Sequence, residues 1–501
     1  MKKFIRSVVR MSLVGVMVAG FIANSGASAA EDPVPLRIMT DWFVASLPSP
    51  DWPEWKAVEK RLGIKLQMEF NMNNSPERVA TMVASGNMPD AMLIDLLTTP
   101  ATYDWIRQGA FQPVEQNLRK YSPRLWKELA PGAIQLGSVN DVLYGVPRPR
   151  ATARECFAIR KDWLDNLKLP VPTTIAQLEN VMRAFVEKDP DGNGKKDTYG
   201  FCWEHFNTLM IPFLGTGNPN QFSRNSNGIV QYNGISSDAK TGLATLQRWY
   251  NEGLIDPDIV IQPGIFQSKI VTAKVGVITP WLDQLRPSEF NPVPQFWQQL
   301  RVNDPKAQWV MVPIVASDKY KAPKHYQNAG TSRHFFVNSR LKDRKKIEKL
   351  FKWWDFWASE EGYQFGSWGI KGFDYTLDNK GNKVLTEEGK TRMYVLQCFR
   401  QTHLWEARMQ IAADKPENNA SMARMLKDLT KRTTPYPFVD VAAKSKAYVK
   451  YWPELFRLQQ QAYTQIIIGA KPLNSFDAFA AEWRRSGGDE ILREMNELYK
   501  K

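Results

Sequence analysis

The segment Asp189-Pro190-Asp191-Gly192-Asn193-Gly194-Lys195-Lys196-Asp197 sets oxygen-bearing side chains at alternate positions and a glycine where the chain must turn sharply. This is the spacing of the first half of an EF-hand loop, which gathers hard oxygen donors around calcium. Asp189, Asp191 and Asn193 offer side-chain oxygens, Lys195 its carbonyl, and Asp197 a further carboxylate. The loop departs from the EF-hand pattern at its twelfth position, which is Gly200 instead of Glu. A polar Asp/Asn/Gly turn without metal is the plainer reading of the same residues. A closed oxygen cage leaves little room for substrate, so the predicted role of the cation is structural.

Aromatic content is the second chemical signal. The chain has eighteen tryptophans. Indole faces stack on the flat C–H faces of sugars, while planar polar side chains take the hydroxyls. Candidates for such work stand at strand ends and in irregular segments. Asp41 and Trp42 follow the apolar run 36–40, where open α/β sheets bind ligands. Trp203 and Glu204 follow the Asp-rich loop, and Trp281 and Asp283 follow the run 275–279. Trp368 stands in a glycine-flanked segment, and Trp405 lies near His403. Core packing is an equal alternative for each, and Trp353, Trp354 and Trp357 have the spacing of a helix that turns at least one indole inward. Arg148 and Arg150 follow a short apolar stretch and suit either bidentate contact with an acidic sugar or surface salt bridges.

The elements that must position these residues alternate at the start of the chain. Strands are predicted at 36–40, 64–70 and 90–96, with helices over 51–62 and 75–85, the second capped by Ser75 with Pro76 at its first position. This β-α-β-α-β order predicts a parallel sheet covered by helices. A strand at 142–147 leads out of the first unit. A second unit opens at 157–160, with a helix capped by Thr174 and running to about 187, another over 238–252, and strands at 275–278 and 310–313. A strand at 334–338 precedes a long helix over 342–359, and helices over 452–468 and 476–499 end the chain.

The first thirty residues read as a secretory signal: Lys2, Lys3, Arg6 and Arg10, an apolar stretch over 11–23, then Ala27-Ser28-Ala29. Without its four basic residues the formal charge falls from +14 to +10. The basic residues are dispersed, which argues against a nucleic-acid partner. With three cysteines (Cys156, Cys202 and Cys398), disulfides do not organise the fold. The four histidines, at 205, 325, 334 and 403, are isolated and read as structural.

Several segments resemble extracellular solute-binding proteins of carbohydrate ABC importers, in particular the long-chain group with the Bacillus-type lipoproteins and the alginate-binding proteins. They are WKAVEKRLGI (55–64), ATMVASGNMP (80–89), YGVP (144–147), IRKDWLDNLKL (159–169), YNEGLIDP (250–257) and WGIKGFDY (368–375), in the family's order. The resemblance implies an α/β, two-lobed periplasmic-binding-protein-like fold of type 2 with the ligand cleft between the lobes. It implies a first lobe over 36–152 plus 315–375 and a second over 153–314 plus 376–501. Tyr375, which closes the last segment, joins the ligand-binding set. It also implies no catalysis, an oligosaccharide ligand (neutral or acidic), permease subunits as partners, a monomer, and a structural calcium in the Asp-rich loop. In the alginate-binding relatives an acidic residue follows the last aspartate of that loop, whereas here it is Thr198. No cysteine lies near the predicted cleavage site, so the family's lipid anchor is not expected, and the chain is expected in the periplasm or at the extracellular face of the cytoplasmic membrane. The alternative from another class is a secreted glycoside hydrolase, which needs two carboxylates flanking the scissile bond. No recognisable catalytic motif supplies them.

Overall fold

In the computed structural model the described residues are 32–42 and 47–500, apart from 203–205, 259–264, 281–295, 393–423 and some single or paired positions. The alternating start is present: β1 (Val34–Trp42), α1 (Pro53–Leu62), β2 (Ile64–Met72), α2 (Pro76–Ser85) and β3 (Ala91–Asp95). Local chemistry fixes the helix ends. Gly63 takes a left-handed φ of 62° and returns its N–H to the Glu59 carbonyl, which stops α1. The Ser75 hydroxyl accepts the Arg78 amide and starts α2.

β1 pairs in parallel with both β2 and β3. The sheet is not wholly parallel, which corrects the expectation. Two further strands are β4 (Gly145–Pro147) and one from far along the chain, β9 (Arg333–Val337). β9 lies between β3 and β4 and is antiparallel to both, giving the order β2-β1-β3-β9-β4. A strand that returns from another part of the molecule is not bound by the βαβ crossover that makes neighbours parallel.

The second sheet has the order β8-β5-β7-β6, formed by β5 (Phe157–Arg160), β6 (Tyr199–Phe201), β7 (Val275–Ile278) and β8 (Trp309–Val312). β7 runs parallel to β6 and antiparallel to β5. Helix α3 (Ile175–Glu187) is capped by Thr174 as predicted, and α4 (Ser237–Asn251) by Ser236. Gly276 in β7 lets the Phe185 ring lie directly on the strand, since a Cβ there would stand 2.1 Å from that ring.

Each sheet has its own core. Leu36, Ile38, Trp55, Leu93 and Phe335 pack with α5 (Arg344–Trp357), whose Trp353, Trp354 and Trp357 are all fully buried. Around the second sheet, Phe157, Trp163, Phe185 and Val277 pack with Trp249, with Leu455 and Ile466 of α7 (Lys446–Ile467) and with Trp483. The predicted single helix at the C-terminus is broken: Ser475–Trp483 and Asp489–Leu498 are separated by a widened turn, where Gly487 at φ 117° accommodates the Tyr451 ring. The two-residue strands His325–Tyr326 and Thr433–Thr434 pair in parallel as a separate small sheet. Ala442 and Ala443 then pack against Met39, Tyr103 and Phe336 of the first unit, and Arg107 donates to the Ala443 carbonyl. Cys156 and Cys202 are buried, and Cys398 lies outside the described residues. No helix among the described residues is long and apolar enough to cross a membrane.

Candidate functional site

The carboxyl edge of the first sheet collects four charged side chains. Asp41 stands near the end of β1 and Asp95 at the end of β3. Arg148 directly follows β4, which runs in the same direction. Arg333 opens β9, and because that strand is antiparallel its first residue lies opposite Asp95 in register. Asp41 Oδ1 lies 3.4 Å from Arg148 Nη1, Asp41 Oδ2 pairs with Arg333 Nη1, and Arg333 Nε donates to Asp95 Oδ2 at 3.2 Å. Asp95 Oδ1 accepts the Leu97 amide at 3.1 Å. The backbone fixes the arginines too: the Arg148 amide donates to the Arg333 carbonyl at 3.0 Å, and Thr331 Oγ1 accepts the Arg333 amide at 2.9 Å. Side-chain exposure is 3% for Asp41, 10% for Asp95, 12% for Arg148 and 25% for Arg333, so Arg333 is the most exposed side chain of the four. Leu97, beside it, is 68% exposed.

Sequence reasoning named Asp41 and Arg148 and missed Asp95 and Arg333. A charged residue directly before an apolar strand was the available signal for Arg333, but the direction of that strand was not. Arg150 lies half-buried two residues beyond Arg148. Trp42 closes β1 opposite Met72, and its side chain lies outside the described residues. So do Trp203, Glu204, Trp281, Asp283 and Trp405. The strands that precede two of these pairs, β6 and β7, are parallel neighbours, so Cys202 and Thr279 leave the second sheet at one edge.

Trp368 ends helix α6 (Glu360–Trp368), and Tyr375 opens a hairpin of Tyr375–Leu377 with Lys383–Leu385. Their ring centroids are 5.7 Å apart, and Lys383 Nζ lies 5.0 Å from both. Lys383 also donates to Gln364 Oε1 at 2.7 Å, and burial lowers its pKa. Both rings pack against the first core.

The Asp-rich loop is tied by its own side chains. Asp189 accepts the amides of Asn193 and Gly194 at 3.1 and 2.8 Å. Asn193 Oδ1 accepts the Lys195 amide at 2.8 Å, while Asn193 Nδ2 donates to Asp191 at 2.9 Å and Asp197 at 3.2 Å. The Gly194 amide pulls the Asp189 pKa down, and the Asn193 amide followed by Lys274 does the same for Asp197. Burial, then the neighbouring Asp189, pushes Asp191 up. Among the described residues no three His, Cys, Asp or Glu side chains form a group able to hold a metal. The Asn193 amide bridges two carboxylates in the loop, and its donor set of hard oxygens is of the type that suits calcium rather than a transition metal.

No family model matches the chain. It is 25% identical over 511 residues to the lipoprotein LipO of Bacillus subtilis (strain 168), covering 98% of this chain and 97% of that one. Its backbone superposes on that of the alginate-binding protein AlgQ2 without calcium ion with a TM-score of 0.68, at 20% identity, over 94% of this chain and 99% of that one. The fold is that of a two-lobed solute-binding protein. The substrate-binding protein FusA of a Streptococcus pneumoniae ABC transporter, solved in complex with kestose, matches equally well, with a TM-score of 0.68 at 19% identity over 93% of this chain and 98% of that one. The resemblance to solute-binding proteins seen in the sequence segments is therefore borne out along the whole chain.

Proposed function

We propose that this protein is the extracytoplasmic receptor of an ABC importer, which captures an oligosaccharide between two lobes and delivers it intact to permease subunits. The observation that carries this reading is the Asp41–Arg148–Arg333–Asp95 cluster. It combines fixed donors and acceptors at the edge where open α/β sheets bind ligands. Sugar hydroxyls both donate and accept, so they need such paired partners. The names of the relatives point the same way. The lobes are 36–152 plus 315–375 and 153–314 plus 376–501, with the chain exported and monomeric. Trp42, Trp203, Trp281 and Trp405 are the stacking platforms, with Glu204, Asp283 and Arg150 as polar partners. Trp368 and Tyr375 extend this surface. The Asp-rich loop holds a structural calcium through Asp189, Asp191, Asn193, Lys195 and Asp197.

Calorimetry against an oligosaccharide panel, followed by chromatography of the recovered ligand, tests this. A micromolar or tighter complex that returns its sugar uncleaved supports a receptor. Cleavage of the sugar at a catalytic rate overturns it in favour of a glycoside hydrolase.

A further inference from the structure

We infer that the amino end of the first sheet is a docking surface for the anionic phospholipids of a membrane. The inference goes beyond the receptor reading and uses other residues, at the end of the sheet away from the ligand edge. The parallel strands β1, β2 and β3 begin at this end, and α1 and α2 finish there. β9 is antiparallel, so it too finishes there, at Val337, and the chain then turns into α5. Strand order thus gathers the last turn of α1, the loop 338–343 and the first turns of α5 at one pole.

These three segments carry cations without ion-pair partners. Lys60, Lys342 and Arg344 are exposed, and among the described residues no carboxylate pairs with any of them. Arg340 donates to the Gly86 carbonyl at 3.3 Å and Lys349 to the Leu62 carbonyl at 2.7 Å. Both answer the negative ends of helices and keep a full positive charge. The acidic side chains at this pole are engaged elsewhere. Asp90 pairs with Lys346 at 3.1 Å and accepts the Arg37 amide at 2.8 Å. Asp343 accepts the amides of Lys345 and Lys346, and Glu59 takes Lys65 at 3.0 Å. Arg340, Lys342 and Lys346 line an open groove of about 410 Å³, with Asp90 and Asp343 on its wall. Its size admits a phosphodiester headgroup.

Two features single out a membrane. The chain enters its fold at this pole, where the Val34 amide donates to the Gly63 carbonyl at 3.1 Å. The residues before Val34 read as an export signal, so this pole emerges next to the lipid. In addition, none of the large apolar side chains left exposed belongs to the three segments. The surface therefore attracts by charge alone, without insertion, and the hold is reversible and screened by salt. The ligand edge, at the other end of the sheet, stays clear.

The test is flotation of the chain from Asp32 onward, which holds every described residue, with vesicles of phosphatidylglycerol and phosphatidylcholine. Binding is expected at low salt and release at high salt, with no binding to phosphatidylcholine alone. Each basic residue beside an anionic leaflet strengthens partitioning about fivefold. Lys60→Gln, Lys342→Gln and Arg344→Gln together are expected to weaken it by about tenfold or more. Removing the same charge from exposed lysines elsewhere, by Lys168→Gln, Lys306→Gln and Lys471→Gln, is expected to change it by less than about threefold. A second measurement needs no variant: anionic vesicles are expected to protect Lys60 and Lys342 from amine acylation and to leave Lys168 and Lys306 reactive. An equal loss in both triple variants, or equal protection of all four lysines, assigns the attraction to net charge and overturns the inference. So does the absence of flotation, or flotation with phosphatidylcholine alone. Binding of soluble poly(glycerol phosphate) without flotation assigns the surface to a wall polymer and overturns the lipid reading. Each of these results leaves the receptor reading intact, since sugar affinity is measured separately.

Discussion

His325 is the side chain whose surroundings say most about pH. Its Nε2 lies 2.5 Å from Glu155 Oε2 and its Nδ1 lies 2.6 Å from the Tyr326 carbonyl, so both ring nitrogens face oxygen and the charged imidazolium satisfies both. Burial alone lowers the pKa of such a ring, but here the Glu155 carboxylate and the carbonyl outweigh it and the pKa is raised. A raised folded-state value gives a contribution to stability that is fully present below the ordinary histidine value of about 6.5. The contribution is lost as pH rises through the raised one. Thermal melts from pH 5 to 9 are expected to show the protein most stable at the acid end of that range. His325→Gln should flatten the slope, and a slope unchanged in that variant assigns the effect elsewhere. At the Asp-rich loop, chelator is expected to lower the melting temperature and calcium to restore it, because a ligand bound only by the folded state stabilises that state. Asp191→Ala should remove the difference, and a wild-type melt blind to both additions would strip the loop of its metal. The residue types of this loop were legible in the sequence because all five donors are neighbours. The arginine–aspartate cluster was only half legible, because its four members come from 41, 95, 148 and 333 and meet only through strand order.

Helix caps were readable position by position, as at Ser75 and Thr174, because a hydroxyl and an amide three residues on settle them locally. The C-terminal break at Gly487 escaped detection because apolar periodicity continues on both sides of it. The antiparallel insertion of β9 could not be read at all: apolar alternation fixes which face of a strand is buried, but not which neighbour it takes. Two elements carry clear energetic expectations. Trp354, fully buried on α5, packs against Phe335 and Phe351. Trp354→Ala is expected to cost about 3–5 kcal/mol in chemical denaturation. Gly276→Ala forces a methyl group into the Phe185 ring. The strand and the ring must shift apart, for an expected loss of about 1–3 kcal/mol. A Gly276→Ala protein with wild-type stability would mean that the second core yields more readily than its packing implies.

At the scale of the molecule, two short segments far apart in sequence, His325–Tyr326 and Thr433–Thr434, pair in parallel, and under the proposed function such short paired connections suit hinge closure. The radius of gyration from small-angle scattering is expected to fall when a tightly bound oligosaccharide is added. The packing of Ala442 and Ala443 against the first unit, with the hydrogen bond from Arg107 of that unit to the Ala443 carbonyl, should persist in both states. A cross-link placed there and tolerated without loss of affinity would agree, whereas a cross-link that blocks binding would place moving parts at that contact. The mixed order of the first sheet has a consequence for biogenesis. Arg333 pairs with Asp95 across 238 residues of chain. A ribosome must therefore make the whole second sheet before the first can close, and pairings of such long range form slowly. Until then β3 has an open edge on the side that β9 covers. Under the proposed function, such a delay suits a chain that is exported before it acquires its shape. A truncated chain ending at residue 320 is accordingly expected to leave β1 to β4 exchanging amide protons freely, however well the rest of the fragment folds.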